Sequence, residues 1–249
     1  MNKARLLRFI VLINVLIANL CIAIPSEATV KKQYLQNLLL NNNNNTYISL
    51  LLSDLLTIFR RQKVPAGGRG DICALAPQKL VEPGSSSSTK NNIPVEIWSL
   101  KPLFLWKIKQ GTVKQIQLFK DGSNNDLWKG NGEIALGQTS IIYDGEPLQP
   151  GQLYHWRLHI PFPIEQPSFQ IMEEKKRNEI TNELKQIEAR LNQQGASAET
   201  ITLEKVDLFV KKNLWSDALR EIFAVTNPSP EFKKIQQQLL SFEYCQTKD

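Results

Sequence analysis

Two histidines and three cysteines are spread over 249 residues, and the first scarcity removes most enzymatic chemistry. A Ser or Cys nucleophile generally needs a neighbouring base, and only His155 and His159 could supply one. On a strand they share one face, roughly 13 Å apart at about 3.3 Å per residue. That is too far to share a metal ion or a reacting atom, and no third ligand stands at zinc-site spacing. Phosphate-binding glycine motifs are also missing. Gly67-Gly68-Arg69-Gly70 lacks the Lys and Ser/Thr of a phosphate loop and the six-residue dinucleotide pattern, so it reads as a flexible turn. Paired carboxylates such as Glu173-Glu174 fall on a charged helical stretch, where a solvated face is the ordinary reading. No residue takes a catalytic role, and neither a cofactor nor a metal is expected.

An Arg-rich stripe is absent as well. The formal net charge of +6 falls to +4 once Lys3, Arg5, Arg8 and Glu27 are set aside. The remainder is dispersed, which argues against a nucleic-acid partner. Those first charges have another use. A basic start, an apolar stretch over residues 9–24 and the small-residue exit Ser26-Glu27-Ala28 make an export signal, with cleavage expected after Ala28. Cys21 follows Ala18-Asn19-Leu20, which departs from the small-residue pattern before a lipidated cysteine. An uncleaved anchor is the alternative, although the apolar stretch is shorter than the roughly 20 residues that span a bilayer. Cleavage would leave Cys73 and Cys245. An oxidising compartment permits a disulfide between them; two unpaired thiols are the other reading, because spacing cannot supply the Cα separation a bridge requires.

Composition divides the rest of the chain. Residues 29–64 read as a leader, with the polar run Asn41 to Asn45 and then a short apolar helix over 46–61. Its stripe of Leu51, Leu52, Leu55, Ile58 and Phe59 either packs on the neighbouring domain or rests peripherally on a membrane with Arg60 and Arg61 at headgroup level. Asn44-Asn45-Thr46 and Arg69-Gly70-Asp71 match a glycosylation sequon and an integrin-type tripeptide, patterns short enough to recur by chance. Residues 65–92 form a Gly/Ser-rich segment leading into the next region. Over residues 93–171, seven short runs at 95–99, 103–108, 115–120, 126–129, 139–143, 153–160 and 168–171 are separated by turn residues. They predict a small antiparallel immunoglobulin-like β-sandwich. Leu148-Gln149-Pro150-Gly151-Gln152-Leu153-Tyr154 resembles the corner in such domains where a Tyr hydroxyl bonds back to backbone. After it, Tyr154, Trp156, Leu158 and Ile160 alternate with His155, Arg157 and His159, core on one face and solvent on the other.

From Met172 the period turns helical. Ile180, Leu184, Ile187 and Leu191 mark a first helix stopped by Gly195. A second runs from about 199 to 213, a third covers 216–225, and a fourth starts with Ser229 as N-cap and Pro230 at the first helical position. The whole is an α+β chain in which a C-terminal α-helical hairpin region, residues 172–249, follows the sandwich. Phe209, Ala218, Ile222, Val225 and Pro230 fall where one tetratricopeptide unit has its signature residues, whereas Thr202, Lys205 and Val206 depart from it; a single unit makes no array. Of the five tryptophans, Trp106 and Trp156 are expected in the core. Trp98 and Trp128 lie on shorter runs near turns, where a partly exposed ring suits ligand contact with sugar or peptide.

Three segments together resemble a family of cyanobacterial exported proteins, domain of unknown function number nine hundred twenty-eight. They are Ala66 to Cys73 with Leu75-Ala76-Pro77 after it; the pair Lys101-Pro102-Leu103-Phe104-Leu105-Trp106 and Gly151-Gln152-Leu153-Tyr154-His155-Trp156; and Leu214-Trp215-Ser216-Asp217-Ala218-Leu219. The likeness covers about residues 64–244. The sandwich is also similar to the domain that follows FecR-type modules of envelope proteins. The resemblance implies export and architecture but no activity. Such proteins often carry a second cysteine after the Tyr-Trp strand, where this chain has Ile160-Pro161-Phe162-Pro163; that departure leaves Cys245 as the partner available to Cys73.

These readings lead to an exported, non-enzymatic binding or accessory protein of the cell envelope or periplasm, with an envelope protein or glycan as partner. The alternatives are a structural protein docked on membrane by residues 46–61, and an enzyme with an unrecognised site. N-terminal sequencing of the exported protein should begin at Thr29; recovery of Met1 or of a lipid-modified Cys21 would replace cleavage with anchoring.

Overall fold

The computed structural model describes residues 44–64, 72–80, 94–108, 111–123, 125–130, 139–243 and 245, with side chains of the first helix from Ser53 onward. The stretch read as an export signal, the first part of the Asn-rich run, and the glycine stretch with its Arg-Gly-Asp tripeptide lie outside the described residues. Among the described residues, helix α1 (Asn44–Arg61) precedes nine strands: β1 (Ile72–Ala76), β2 (Val95–Ile97), β3 (Leu103–Ile108), β4 (Gln115–Lys120), β5 (Asp126–Lys129), β6 (Ser140–Ile142), β7 (Leu153–His159), β8 (Pro163–Glu165) and β9 (Phe169–Ile171). Four helices follow: α2 (Glu174–Gln193), α3 (Ala198–Lys211), α4 (Trp215–Phe223) and α5 (Pro230–Ser241). The class is α+β.

The strands form two sheets, one in the order β1-β3-β6, the other in the order β2-β9-β7-β4-β5 with β8 also on β7. The larger sheet is mixed, not wholly antiparallel as expected, because β2 runs parallel to β9. A parallel pair needs a long crossover, and here all the strands from β3 to β8 lie between the two partners in sequence. Two strands escaped the sequence pattern for physical reasons. In β1 all five residues are buried, so the run shows no alternation, and the segment expected to lead into the sheet contains a buried edge strand paired with β3. Strand β8 starts on Pro163, at the first position, where a missing N–H costs no ladder bond.

Both sheets bury their faces in one cluster. Ile72, Ala74, Phe104 and Trp106 come from the smaller sheet, and Ile116, Leu118, Tyr154, Trp156, Leu158 and Phe169 from the larger. The Phe104 ring lies 4.9 Å from Trp156 and 5.6 Å from Trp128. Each such side chain removed from water contributes about 1.5–3 kcal/mol. Strand β7 alternates as its sequence predicts, with Tyr154, Trp156 and Leu158 buried and His155, Arg157 and His159 half-buried on the other face. There His155 Nε2 contacts Asp121 Oδ1 and His159 Nε2 contacts Gln117 Oε1, each at 2.7 Å. Before β7 the chain turns at Gly151, whose φ is +74° and where a Cβ would stand 2.7 Å from Glu173 Oε1. Across this corner the Gln149 N–H donates to the Tyr154 hydroxyl at 2.9 Å.

The helices are delimited by local chemistry. Ser197 and Ser229 cap α3 and α5, accepting from Thr200 N and Phe232 N, and Pro230 opens α5. Gly195 at φ +67° closes α2, while Asn213 at φ 59° closes α3. At Asn213 the Leu214 N–H reaches back to Phe209 O and the Asn213 N–H to Val210 O, the double bond of a Schellman cap. That turn sends α4 back across the helices.

Of the two readings of its apolar stripe, helix α1 takes the packed one. It packs on α3 and α5, its Leu55 and Phe59 are buried, and the Phe59 ring meets Trp215 edge-on at 5.4 Å. Those two members of the stripe proposed for membrane contact therefore already have a protein partner. Among the described residues no helix is long and apolar enough to cross a membrane. At the far end of the chain Cys245 is joined to Cys73 with Cα atoms 6.0 Å apart.

Tyr154→Phe should lower stability by about 1 kcal/mol or more, because the Gln149 N–H loses its acceptor in a part-buried corner. An unchanged urea midpoint would show that the hydroxyl contributes nothing there.

Candidate functional site

The loop between β2 and β3, residues 98–102, is where the sheets meet the helices. Its backbone polar groups are held largely by helix side chains. The Trp98 and Ser99 N–H groups donate to Asp217 Oδ2 and Oδ1, both at 2.8 Å. Arg177 Nε donates to Trp98 O at 2.8 Å and Arg220 Nε to Lys101 O at 2.7 Å. Ser99 Oγ bonds to its own loop at Lys101.

These anchors exist because of how α4 begins. Its N-cap position is Leu214, which offers no side-chain acceptor, so Ser216 and Asp217 in the first turn are free to bond elsewhere. Ser216 Oγ accepts from Gln78 N at 3.1 Å and donates to Gln78 O at 3.2 Å, fastening the segment after β1. Asp217, 2% exposed, fastens the segment after β2. Burial pushes its carboxyl up to about 6, against the pull of the two backbone N–H bonds and the Arg220 charge. Desolvation likewise lowers the Arg177 guanidinium, opposed by Asp217 and Glu174.

Over this loop opens a cleft of about 390 Å3, walled by Trp98, Lys101 and residues of α2, α3 and α4. Trp98 is half-buried. Its Nε1 donates to Arg177 O and Thr181 Oγ1, each at 3.2 Å, its ring lies 5.5 Å from Phe209, and the Arg177 guanidinium stands 5.5 Å from its centroid. On the opposite wall Lys205 pairs with Glu188 and, at 3.9 Å, with Glu221, which also takes Arg220 at 2.8 Å. Neither His nor Cys lines the cleft, and Ser99 and Thr181 are both engaged with backbone.

Of the residues singled out in sequence, the structure brings Trp98 to this cleft. Trp128 stands elsewhere, at the edge of the core, stacked on Phe104 with its Nε1 bonded to Asp144 Oδ1 at 2.6 Å. Cys73 and Cys245 meet each other away from the cleft lining. Sequence reasoning missed Asp217, Arg177 and Arg220. Asp217 carried a signal: an acidic residue inside the resemblance-bearing Trp-Ser-Asp-Ala-Leu segment, at a helix start lacking a capping side chain.

A native pKa above the unfolded 3.8 means the folded protein holds the Asp217 proton more tightly. Its contribution to stability is full below about pH 4 and is lost as pH rises through about 6, a swing of roughly 3 kcal/mol. Asp217→Asn cannot titrate, so the stability of the native protein minus that of the variant should fall between pH 4 and pH 7. Asp217→Ala, which strands two buried N–H groups, should cost about 2–4 kcal/mol at pH 7. Urea midpoints at both pH values give the comparison, and a pH-independent difference would mean that the carboxyl is hydrated.

Neither a curated protein nor a solved structure matches the chain. The family described as Domain of Unknown Function (DUF928) matches residues 60–244, a span that begins at the end of α1 and runs past the end of α5. With that match over most of its length, the chain belongs to the DUF928 family.

Proposed function

We propose that this chain is an exported, non-catalytic binding or accessory protein of the cell envelope, and that it engages its ligand in the cleft over residues 98–101. In this reading the two sheets form an immunoglobulin-like sandwich, and α3 with α4 forms a hairpin similar to one tetratricopeptide unit. The observation that carries the reading is the cleft itself. Its floor is fixed by Asp217, Arg177 and Arg220, and its walls carry an indole and charged side chains in place of a nucleophile beside a base. Such a surface binds without having to rearrange, which lowers the cost of ordering on association.

The pairing of Cys73 with Cys245 supports export, since a bridge persists in an oxidising compartment and is rare in the cytosol. Cell fractionation with alkylation under non-reducing conditions tests this. The protein should be found in the envelope or medium, with no thiol alkylated before reduction and two after it. Cytoplasmic protein with all three thiols, Cys21 included, alkylated before reduction would overturn the proposal.

A further inference from the structure

The cleft has a charge pattern of its own. Lys101, Arg177, Lys185, Lys205 and Arg220 line it against Glu188 and Glu221. Both acids are consumed by Lys205 and Arg220, and Arg177 is turned towards the loop backbone. Among the described residues, the ammonium groups of Lys101 and Lys185 have no partner. Two cations therefore face the cleft uncompensated, one on the fixed loop and one on α2. A ligand taken here must bring negative charge.

Size and the remaining groups narrow the ligand further. At about 390 Å3 the cleft lies near the lower end of the roughly 300–1,000 Å3 typical of small-molecule sites, which suits one or two sugar rings. A fully ionised phosphate would use the lysines but offers no hydrogen-bond donor to the oxygens of Glu188 and Glu221. A ligand with one carboxylate and several neutral hydroxyls is better matched. The carboxylate meets the two free ammonium groups, the hydroxyls donate to the glutamate oxygens, and the sugar ring rests against the exposed part of Trp98, whose indole nitrogen is already engaged and whose ring also meets Phe209 and the Arg177 guanidinium. Resting on the binding-protein reading, we propose that this cleft is a site for an acidic saccharide, a sugar unit bearing a carboxylate of the uronic-acid type.

Calorimetry and tryptophan fluorescence on the protein as exported test this with glucuronate, galacturonate, glucose, inorganic phosphate and the dipeptide Glu-Glu. Saturable binding of at least one uronate is expected, at least tenfold tighter than glucose, phosphate or the dipeptide, with a change in indole emission. Lys185→Glu lies on an exposed helix position and should weaken uronate binding at least tenfold with an unchanged urea midpoint; Lys101→Glu should do the same and serves as a second variant on the loop side. If no uronate binds at millimolar concentration, or if Lys185→Glu leaves binding intact, the site is wrong. If phosphate or the dipeptide binds at least as tightly as the uronates and with the same lysine dependence, the saccharide assignment falls while the cleft survives as an anion site. Glucose binding equal to the uronates would remove the role of charge. None of these results bears on whether the protein is exported, which the thiol and fractionation experiment decides separately.

Discussion

A single buried carboxylate joins the two halves of this protein. Asp217 gives one oxygen to the Trp98 N–H and the other to the Ser99 N–H, and it does so at the start of a helix whose neighbouring residues reach the other segments. Trp215 packs against Phe59 of α1, and Ser216 satisfies both backbone groups of Gln78 after β1. One helical turn thus fixes three stretches of chain more than a hundred residues away. Ionised, the carboxylate is costly to bury, and two backbone donors with a nearby Arg220 do not fully offset the desolvation, which is why its pKa stays raised. Moving the loop away would leave both carboxylate oxygens without these donors in a buried site, which favours the observed position.

The C-terminal segment supplies a second clamp, and it is covalent. Beyond α5 the chain lies across α1 and β3. Lys107 Nζ donates to Phe242 O at 2.8 Å, Lys63 bonds to Glu243 O, and the Arg60 guanidinium stands 5.2 Å from the Phe242 ring. The bridge from Cys245 to Cys73 then closes a separation of 172 residues, which in the chain-entropy account restricts the unfolded chain by about 5 kcal/mol. Chain ends ordinarily fray; here the end is tied to β1, the strand beside β3. The clamp at Asp217 holds the loop that leads from β2 of the larger sheet into β3 of the smaller, and the clamp at Cys245 holds β1 beside β3, so the helical part is fastened at two separate places.

Much of this was legible in the sequence where a residue pattern reports a local cause. The alternation in β7, the Tyr154 corner, the Ser229-Pro230 start of α5 and the stop at Gly195 each follow from backbone geometry or capping within a few residues. What was not legible depends on partners far away in sequence. Strand β1 has no alternation because both its faces are covered, and a parallel β2–β9 pair leaves no local mark at all. The stripe of helix α1 left packing and membrane contact both open because the apolar face of a helix does not say what it packs against; Trp215 and the α3 and α5 faces answer that for Leu55 and Phe59. The cleft was half visible. Trp98 could be named from its place near a turn, whereas Arg177, Lys185 and Lys205 are ordinary surface residues on charged helices until three helices bring them to one opening.

The position of the cleft follows from the same division of labour. A sheet edge alone would present the loop after β2 as a set of unsatisfied N–H and C=O groups, and a helical hairpin alone would present a charged, hydrated groove. Joined, the helices satisfy the loop backbone with Asp217, Arg177 and Arg220, and in doing so they use up the charges nearest the floor. The charges farther out on the walls sort themselves by pairing: Lys205 bridges Glu188 and Glu221, while Lys101 on the loop and Lys185 on α2 have no partner among the described residues. The positive character of the opening is therefore a by-product of how the two halves are fastened. Any change that weakens the fastening at Asp217 must also alter the geometry in which those two lysines face a ligand, since Lys101 rides on the loop that Asp217 holds.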